Sequence, residues 1–501
     1  MVRCCSRLRD AYERTTTLTL ACLAALAAVL TTTVRLPVPL SNVSETPLEK
    51  CDIPSEIRQL EWSADAATRA AALGVPVLFK NAGPLLALPA LNWTWSDVAK
   101  IDAEATVEVA RGSPEFFYFD ADDLGLLDHR NHHPALSRLT EPGPRSRRAE
   151  RMHMHDLVGR MTGGGTESQD EQGGDFFYLT AAVLQPSGID EDGVKFADAF
   201  RPHFVASSND AGYVDTSLVV DERAGADGGG ADNAILSVWF GGPGPVTTQA
   251  HYDEPHNMFV QLIGTKRFLL LPPCFIDALP IYPDLHVRAR KAQIPLSQIS
   301  KLAKNKTIGD LKFPLHTKLS TRMLEVDVEP GDVLYVPPFW IHRVQVTSSA
   351  AASCNSFTPS NISATRAAIY RHALPFEERW IGTPTAGAAT HLWLLELVEK
   401  RLGWSLLDAA RRLVDGRYRW MMVPRSNVSH NCYPVASSVN DGVSPGRFNA
   451  YADTISGLFL EISNDGVRWQ ILLSYVELVI HNVLGGTDKI KPFLMQCVLG
   501  V

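Results

Sequence analysis

The chain has 501 residues, 45% apolar and 20% charged, with a formal net charge of −8. So much apolar chain builds a substantial core, which excludes a disordered protein, a collagen-like repeat and a small cysteine-stapled scaffold. The mild acidity removes a general electrostatic drive toward nucleic acid, so no nucleic-acid partner is expected.

In chain order, the first feature is a span of twenty uncharged residues from Thr15 to Val34, flanked by Arg3, Arg7, Arg9 and Arg14 before it and Arg35 after it. Twenty helical residues at about 1.5 Å each cross a bilayer core of about 30 Å. The arginines predict a cytosolic N-terminus over 1–14, a signal anchor over 15–35 and a type II single-pass protein, its bulk in the ER or Golgi lumen. A cleaved signal peptide or an organelle transit peptide are the alternatives. Five N-x-[ST] sequons, at Asn42, Asn92, Asn305, Asn361 and Asn427, predict a glycoprotein exposed to the lumen. Eight cysteines without CxxC or regular spacing point neither to a disulfide framework nor to a zinc ribbon.

A proline-bearing stem occupies 36–50, and an α/β segment is expected over 51–230. Within it Ala66–Leu73 reads as a helix, and Val75–Phe79 and Glu115–Asp120 read as strands. The basic run Arg145–Arg151 and the Gly/Asp-rich runs 163–174 and 224–233 read as surface loops. Histidines 129, 132, 133, 153 and 155 lie in polar sequence and read as solvated side chains rather than ligands. From 231 to 360 the texture is strand-rich: Ile235–Phe240, Met258–Leu262, Arg267–Leu271, Val333–Val336 and Trp340–Val346, separated by Gly and Pro, which suits an antiparallel barrel or sandwich. The segment 361–501 turns helical, most clearly over His391–Leu402. The apolar stretch Trp469–Val483 is too short and interrupted for a second membrane span.

In Gln249-Ala250-His251-Tyr252-Asp253 a strand period of two sends His251 and Asp253 off the same face. Downstream, Trp340, His342, Val344 and Val346 alternate with Arg343 and Gln345, so His342 points into the apolar interior. One interior histidine is an ordinary core residue. Two imidazoles with one carboxylate make the facial triad of non-haem Fe(II) oxygenases, which leaves three positions open for a chelating cosubstrate and dioxygen. Lys266 lies among residues that soon become apolar on both faces, where a buried ammonium needs an anion such as a cosubstrate carboxylate. The alternative is a lysine snorkelling from a strand edge.

The stretch from Thr247 to Glu254, with Asn257, Phe259, Gln261, Gly264, Lys266-Arg267 and Pro272-Pro273, resembles the JmjC/cupin-like 2-oxoglutarate oxygenases, closest to the factor-inhibiting-HIF type of asparaginyl hydroxylase. Pro330-Gly331-Asp332-Val333-Leu334-Tyr335-Val336-Pro337 followed by Trp340 and His342 is similar to that family's second-ligand strand. Weaker likeness runs through Pro76-Val77-Leu78, Pro89 to Trp93, Phe117 to Asp120 and Tyr178-Leu179. The resemblance implies a mainly β fold, a double-stranded β-helix (jelly-roll) barrel with α elaborations and a C-terminal helical region that makes a homodimer in the family. It implies Fe(II) on His251, Asp253 and His342, and 2-oxoglutarate held by Lys266, Thr248 and Tyr178, with Asn257 and Asn355 near its metal-chelating end. Arg290 and Tyr118 fall at substrate-contacting positions. Lys291 stands where a glutamine is expected, and Pro255-His256 where that hydroxylase has paired glutamines, so its asparaginyl substrate is not implied. The reaction implied is hydroxylation of a protein or peptide side chain using dioxygen. The alternatives are a JmjC demethylase, a tRNA-base hydroxylase, or a membrane-tethered cupin that binds a ligand or glycan without turnover.

Overall fold

In the computed structural model of the chain, residues 54–501 are described apart from 87, 113, 117–146, 164–173, 186–188, 190, 205–217, 221–232, 277–278, 280, 287–288, 294–322, 376–382, 384–385 and 419–444. The predicted membrane span therefore lies outside the described residues, as do Asn42, Asn305, Asn427, Tyr118 and His129, His132 and His133. No helix among the described residues is long and apolar enough to cross a membrane.

The first part of the chain contributes strands β1 (Arg58–Gln59), β2 (Val77–Phe79), β3 (Glu104–Arg111), β4 (Glu115–Phe116), β5 (Arg147–His153) and β6 (Asp175–Leu184). The second contributes β7 (Ile235–Gly242), β8 (Thr247–Thr248), β9 (His251–Tyr252), β10 (His256–Ile263), β11 (Lys266–Leu271), β12 (Leu324–Val328), β13 (Val333–Val336), β14 (Ile341–Val346) and β15 (Ala351–Thr358). They form a nine-stranded sheet in the order β1-β2-β13-β10-β15-β7-β6-β3-β5 and a six-stranded sheet in the order β12-β11-β14-β8-β4, with β9 also paired to β14. From β7 onward the chain crosses between the sheets at almost every connection. β7, β10, β13 and β15 sit in the larger sheet; β8, β9, β11, β12 and β14 sit in the smaller. This winding is a double-stranded β-helix, the expected barrel.

Local sequence accounts for the turns and the buried strands. β10 is buried along nearly its whole length, as a central strand covered on both faces must be. Gly264 joins it to β11 at φ +69°, and a Cβ there would stand 2.2 Å from the Ala350 carbonyl oxygen, so only glycine fits. Strands β3, β5 and β6 widen the larger sheet, and the predicted basic loop at Arg145–Arg151 is mostly strand: β5 pairs with β3 along the sheet edge. Arg148 and Arg151 are exposed and paired, Arg148 with Asp175 at 2.7 Å and Arg151 with Glu104 at 3.1 Å. Charged side chains along an edge protect it from pairing with another chain, which is why a strand here reads as a solvated loop.

The helix predicted at Ala66–Leu73 forms with those bounds and ends on Gly74 in the left-handed conformation. The C-terminal region is helical as expected, including Asn361–Tyr370, Ala386–Leu394, Leu406–Arg412 and the twenty-residue helix Asp465–Leu484. Its apolar side chains, with Trp393 and Tyr475 fully buried, share one core with Tyr252, Leu271, Phe275, Phe339 and Ile341 of the barrel. At roughly 1.5–3 kcal/mol for each fully buried large side chain, this contact ties the helices firmly to the wall that carries β9. Cys274 and Cys497 are both disulfide-bonded, whereas Cys354 is free and buried. The irregular spacing had given no sign of disulfides, because pairing is set by proximity in space.

Candidate metal centre and adjoining pocket

Strand register assembles the site. β9 pairs with β14 so that His251 stands directly opposite His342, and the ring centroids lie 4.3 Å apart. Asp253 follows β9 by one residue. His251 Nε2 is 4.0 Å from Asp253 Oδ1, and His342 Nε2 is 3.5 Å from Asp253 Oδ2; one ligand atom from each of the three lies within 4.8 Å of the others.

The two Nδ1 atoms settle the tautomers. His251 Nδ1 lies 2.7 Å from the Gln249 carbonyl and His342 Nδ1 3.0 Å from the Trp340 carbonyl. A carbonyl only accepts, so each Nδ1 carries the proton and donates, leaving the Nε2 lone pair directed at the shared centre. This backbone fixing of the second nitrogen is the usual support for a metal-ligating histidine. Burial and the neighbouring His342 imidazole push the His251 imidazole down to about 3, so it stays neutral, the state a metal requires. Ion-to-donor bonds of roughly 2.1 Å place neighbouring donors about 3 Å apart, so the observed spacings need only a small closure. The residues fit a divalent ion with one open face.

A cavity of about 280 Å³ adjoins this centre, lined among others by Tyr178, Trp239, Thr248, Asn257, Phe259, Lys266, Arg290, Lys291 and Asn355. Lys266 is 4% exposed. Its ammonium donates to Ser353 Oγ at 2.7 Å and to the Trp239 carbonyl at 3.5 Å, and it lies 5.5 Å from the Phe259 ring centroid. No carboxylate partners it among the described residues, and burial pushes it down to about 7. The sequence predicted a buried ammonium beside an anion; the protein supplies the ammonium and leaves the anion's place to the cavity.

The other expected residues gather here too. Thr248 Oγ1 accepts from the Val344 N–H at 3.0 Å and faces its carbonyl at 3.4 Å. Asn355 Nδ2 donates to Asn257 Oδ1 at 3.1 Å, and Trp239 Nε1 donates to Asn355 Oδ1 at 2.6 Å. The Tyr178 ring packs against Phe116 and Trp239 at centroid distances of 5.3 and 6.2 Å. Arg290 lines the cavity and faces Glu254 at 3.8 Å. His153 and His155 are exposed on the surface.

Sequence reasoning missed Trp239 and Ser353, although period-two alternation in β15 sets Ser353, Asn355 and Phe357 on one face. It also missed an ionic chain behind the metal centre. Arg366 binds Glu254 at 2.9 Å and Asp284 at 2.6 Å, Tyr370 donates to Asp284 at 2.8 Å, and Arg417 meets Glu477 at 2.7 Å. Burial works to raise the Asp284 carboxyl, but Arg366 and Arg417 outweigh it and hold the carboxyl below the ordinary range.

Comparison with known proteins agrees with this architecture. The sequence profile described as a cupin-like domain matches residues 64–363. Over 111 residues the chain is 33% identical to Jumonji C domain-containing protein 5 of Drosophila melanogaster, covering 22% of this chain and 24% of that one. It is 31% identical over 126 residues to lysine-specific demethylase JMJ30 of Arabidopsis thaliana, covering 25% and 26%. With tRNA wybutosine-synthesizing protein 4 of Neurospora crassa it shares 32% identity over 114 residues, covering 23% and 8%. The matched stretch spans about a quarter or less of each of these relatives.

Proposed function

The chain belongs to the cupin-like domain family, and on that premise we propose that it is an Fe(II)- and 2-oxoglutarate-dependent oxygenase of the JmjC type that hydroxylates a protein side chain. One observation carries the reading: His251, Asp253 and His342 turn their donor atoms to a common centre beside a cavity whose buried cation, Lys266, has no carboxylate partner among the described residues.

In this reading His251 Nε2, the Asp253 carboxylate and His342 Nε2 hold the iron. Lys266, with Thr248 and Tyr178, holds the distal carboxylate of 2-oxoglutarate, and Asn257 and Asn355 flank its chelating end. When bound, iron with 2-oxoglutarate and dioxygen supplies the oxidation of a C–H bond coupled to loss of CO2, leaving succinate. The protein's own residues position and exclude. The Gln249 and Trp340 carbonyls keep both imidazoles in the ligating tautomer, Trp239 fixes the Asn355 amide, and Phe259, Phe268, Val344 and Val346 wall the cavity against water.

The named relatives include a lysine-specific demethylase and a tRNA wybutosine-synthesizing protein. A net charge of −8 opposes a polyanionic substrate. Lumenal residence of the catalytic domain draws support from the disulfide-bonded Cys274 and Cys497, since disulfides persist in oxidising compartments, and from the exposed sequon residues Asn92 and Asn361.

The test is succinate formation from 2-oxoglutarate by the full chain with Fe(II) and ascorbate, in the presence of peptide pools. The expected result is iron-dependent succinate that disappears in His251→Ala. Intact metal binding without any succinate would leave a cupin that binds without turnover.

A further inference from the structure

Strand pairing fixes two of the three metal ligands. His342 belongs to β14, and His251, opposite it on β9, also forms an antiparallel bridge with Lys291. Asp253 has no such support. β9 ends at Tyr252 and β10 begins at His256, so the carboxylate ligand sits in the crossing Asp253-Glu254-Pro255 that carries the chain from the smaller sheet to the larger. Main-chain groups that leave a ladder find partners elsewhere when they are buried, and here the partners come from far along the chain.

The Asp253 carbonyl accepts from the Phe339 N–H at 2.7 Å. Phe339 takes φ +64° and is fully buried, its ring stacked on Tyr252 at 5.5 Å; such a backbone persists where the surroundings enforce it. The Glu254 carbonyl accepts from two hydroxyls, Ser360 Oγ at 2.9 Å and Ser363 Oγ at 2.7 Å. Ser360 is buried and also caps the helix Asn361–Tyr370, accepting from the Ser363 N–H at 3.0 Å, so the first turn of that helix closes onto the crossing. One turn further, Arg366 donates to the Glu254 carboxylate at 2.9 Å and to Asp284 at 2.6 Å, with its guanidinium 4.3 Å from the Tyr370 ring centroid. A planar fork held at both prongs and stacked on a ring has little freedom left. The start of one helix thus grips both the carbonyl and the carboxylate of the residue that follows the metal ligand.

We propose that Ser360, Ser363 and Arg366 are positioning residues of the metal centre: through Glu254 they set the place of the Asp253 carboxylate, so that the helix Asn361–Tyr370 completes a site whose ligands all lie outside it. The proposal deepens the oxygenase reading and rests on its metal centre. Ligands held in place beforehand lose less freedom on binding, and removing the contacts that orient metal ligands costs about 10–100-fold in affinity.

The test titrates the full chain, freed of metal, with Mn(II) alone, following the free ion by electron paramagnetic resonance. The d–d absorption of the Co(II)-loaded protein gives a signature of ligand geometry. The paired change Ser360→Ala and Ser363→Ala is expected to weaken Mn(II) binding at least about tenfold and to alter the Co(II) spectrum. Ser363→Thr, which keeps its hydroxyl, retains both, and Arg366→Lys, which keeps the charge without the fork, weakens Mn(II) several-fold. Two controls separate positioning from other effects. Ile369→Val trims a fully buried side chain of the same helix and lowers the urea midpoint with Mn(II) affinity unchanged. Asn361→Gln removes the sequon that Ser363 completes, again with affinity unchanged. Wild-type Mn(II) affinity in the folded paired variant overturns the proposal, as does an equal loss in Ile369→Val or Asn361→Gln. Should the paired variant fail to fold, Ser363→Ala alone is held to the same criterion. A wild-type chain that binds no Mn(II) removes the oxygenase reading and this proposal together, whereas normal wild-type loading with unchanged variants removes this proposal alone.

Discussion

Replacing Lys266 with methionine sets stability against function. An exposed lysine titrates near 10.4; burial brings Lys266 down to about 7. At about 1.36 kcal/mol per unit, the buried ammonium costs the fold about 4 kcal/mol at neutral pH when no anion is bound. The unfolded chain keeps this proton up to about 10.4 and the folded chain releases it near 7. Between those values the unfolded state binds more protons, so stability rises with pH, and below about 7 the full cost is present. Methionine removes the cost and loses the hydrogen bond from the ammonium to Ser353, worth about 1.5–3 kcal/mol for a charged donor. Lys266→Met is therefore expected to stabilise the metal-free protein by about 1–2 kcal/mol at neutral pH, an advantage that fades toward pH 10 as the wild type sheds its proton. Urea unfolding across that pH range measures it. In the second arm, 2-oxoglutarate at a hundred times its Kd adds about 2.7 kcal/mol to the wild type and nothing at the same concentration to the variant. A variant less stable than wild type at neutral pH, a gap that ignores pH, or equal protection of both by 2-oxoglutarate would refute the assignment of Lys266 as an ammonium awaiting a carboxylate.

Three further outcomes follow from the same geometry. His342→Ala leaves two donors, and Mn(II) affinity measured by electron paramagnetic resonance falls more than about a hundredfold, because loss of a ligand exceeds the 10–100-fold cost of losing a supporting contact. Arg366→Ala leaves Glu254 only its longer contact with Arg290 and leaves Asp284 hydrogen-bonded only to the Tyr370 and Tyr252 hydroxyls and costs about 3 kcal/mol in urea unfolding, with Arg366→Lys recovering part. Because Arg366 helps hold the Asp284 carboxyl low, this contribution is complete above the ordinary carboxylate range and disappears in acid, so the gap between wild type and Arg366→Ala closes as pH falls. Finally, Asn92 and Asn361 are exposed; endoglycosidase treatment of protein expressed in the secretory pathway increases its gel mobility, and Asn92→Gln removes one step. Unchanged mobility counts against lumenal residence.

The metal ligands were legible because backbone periodicity is local: HxD over β9 and the residue after it, and an alternating run through His342, fix which faces the side chains leave, and β13 and β14 formed close to where the pattern placed them. Lys266 stood out for the same reason, as a charge in an apolar strand. The rest depended on contacts between distant parts of the chain. The register of β9 against β14 turns two separated imidazoles into one site, and only the fold shows that no carboxylate among the described residues answers Lys266. The placement of Arg290 and Lys291 against β9, the Arg366 chain and the edge pairing of β5 leave no local pattern, because each depends on which surfaces the barrel and its helices bring together. A sequence records the direction of each side chain along its own strand; its partners are chosen by packing, which minimises exposed apolar area and unpaired charge over the whole molecule at once.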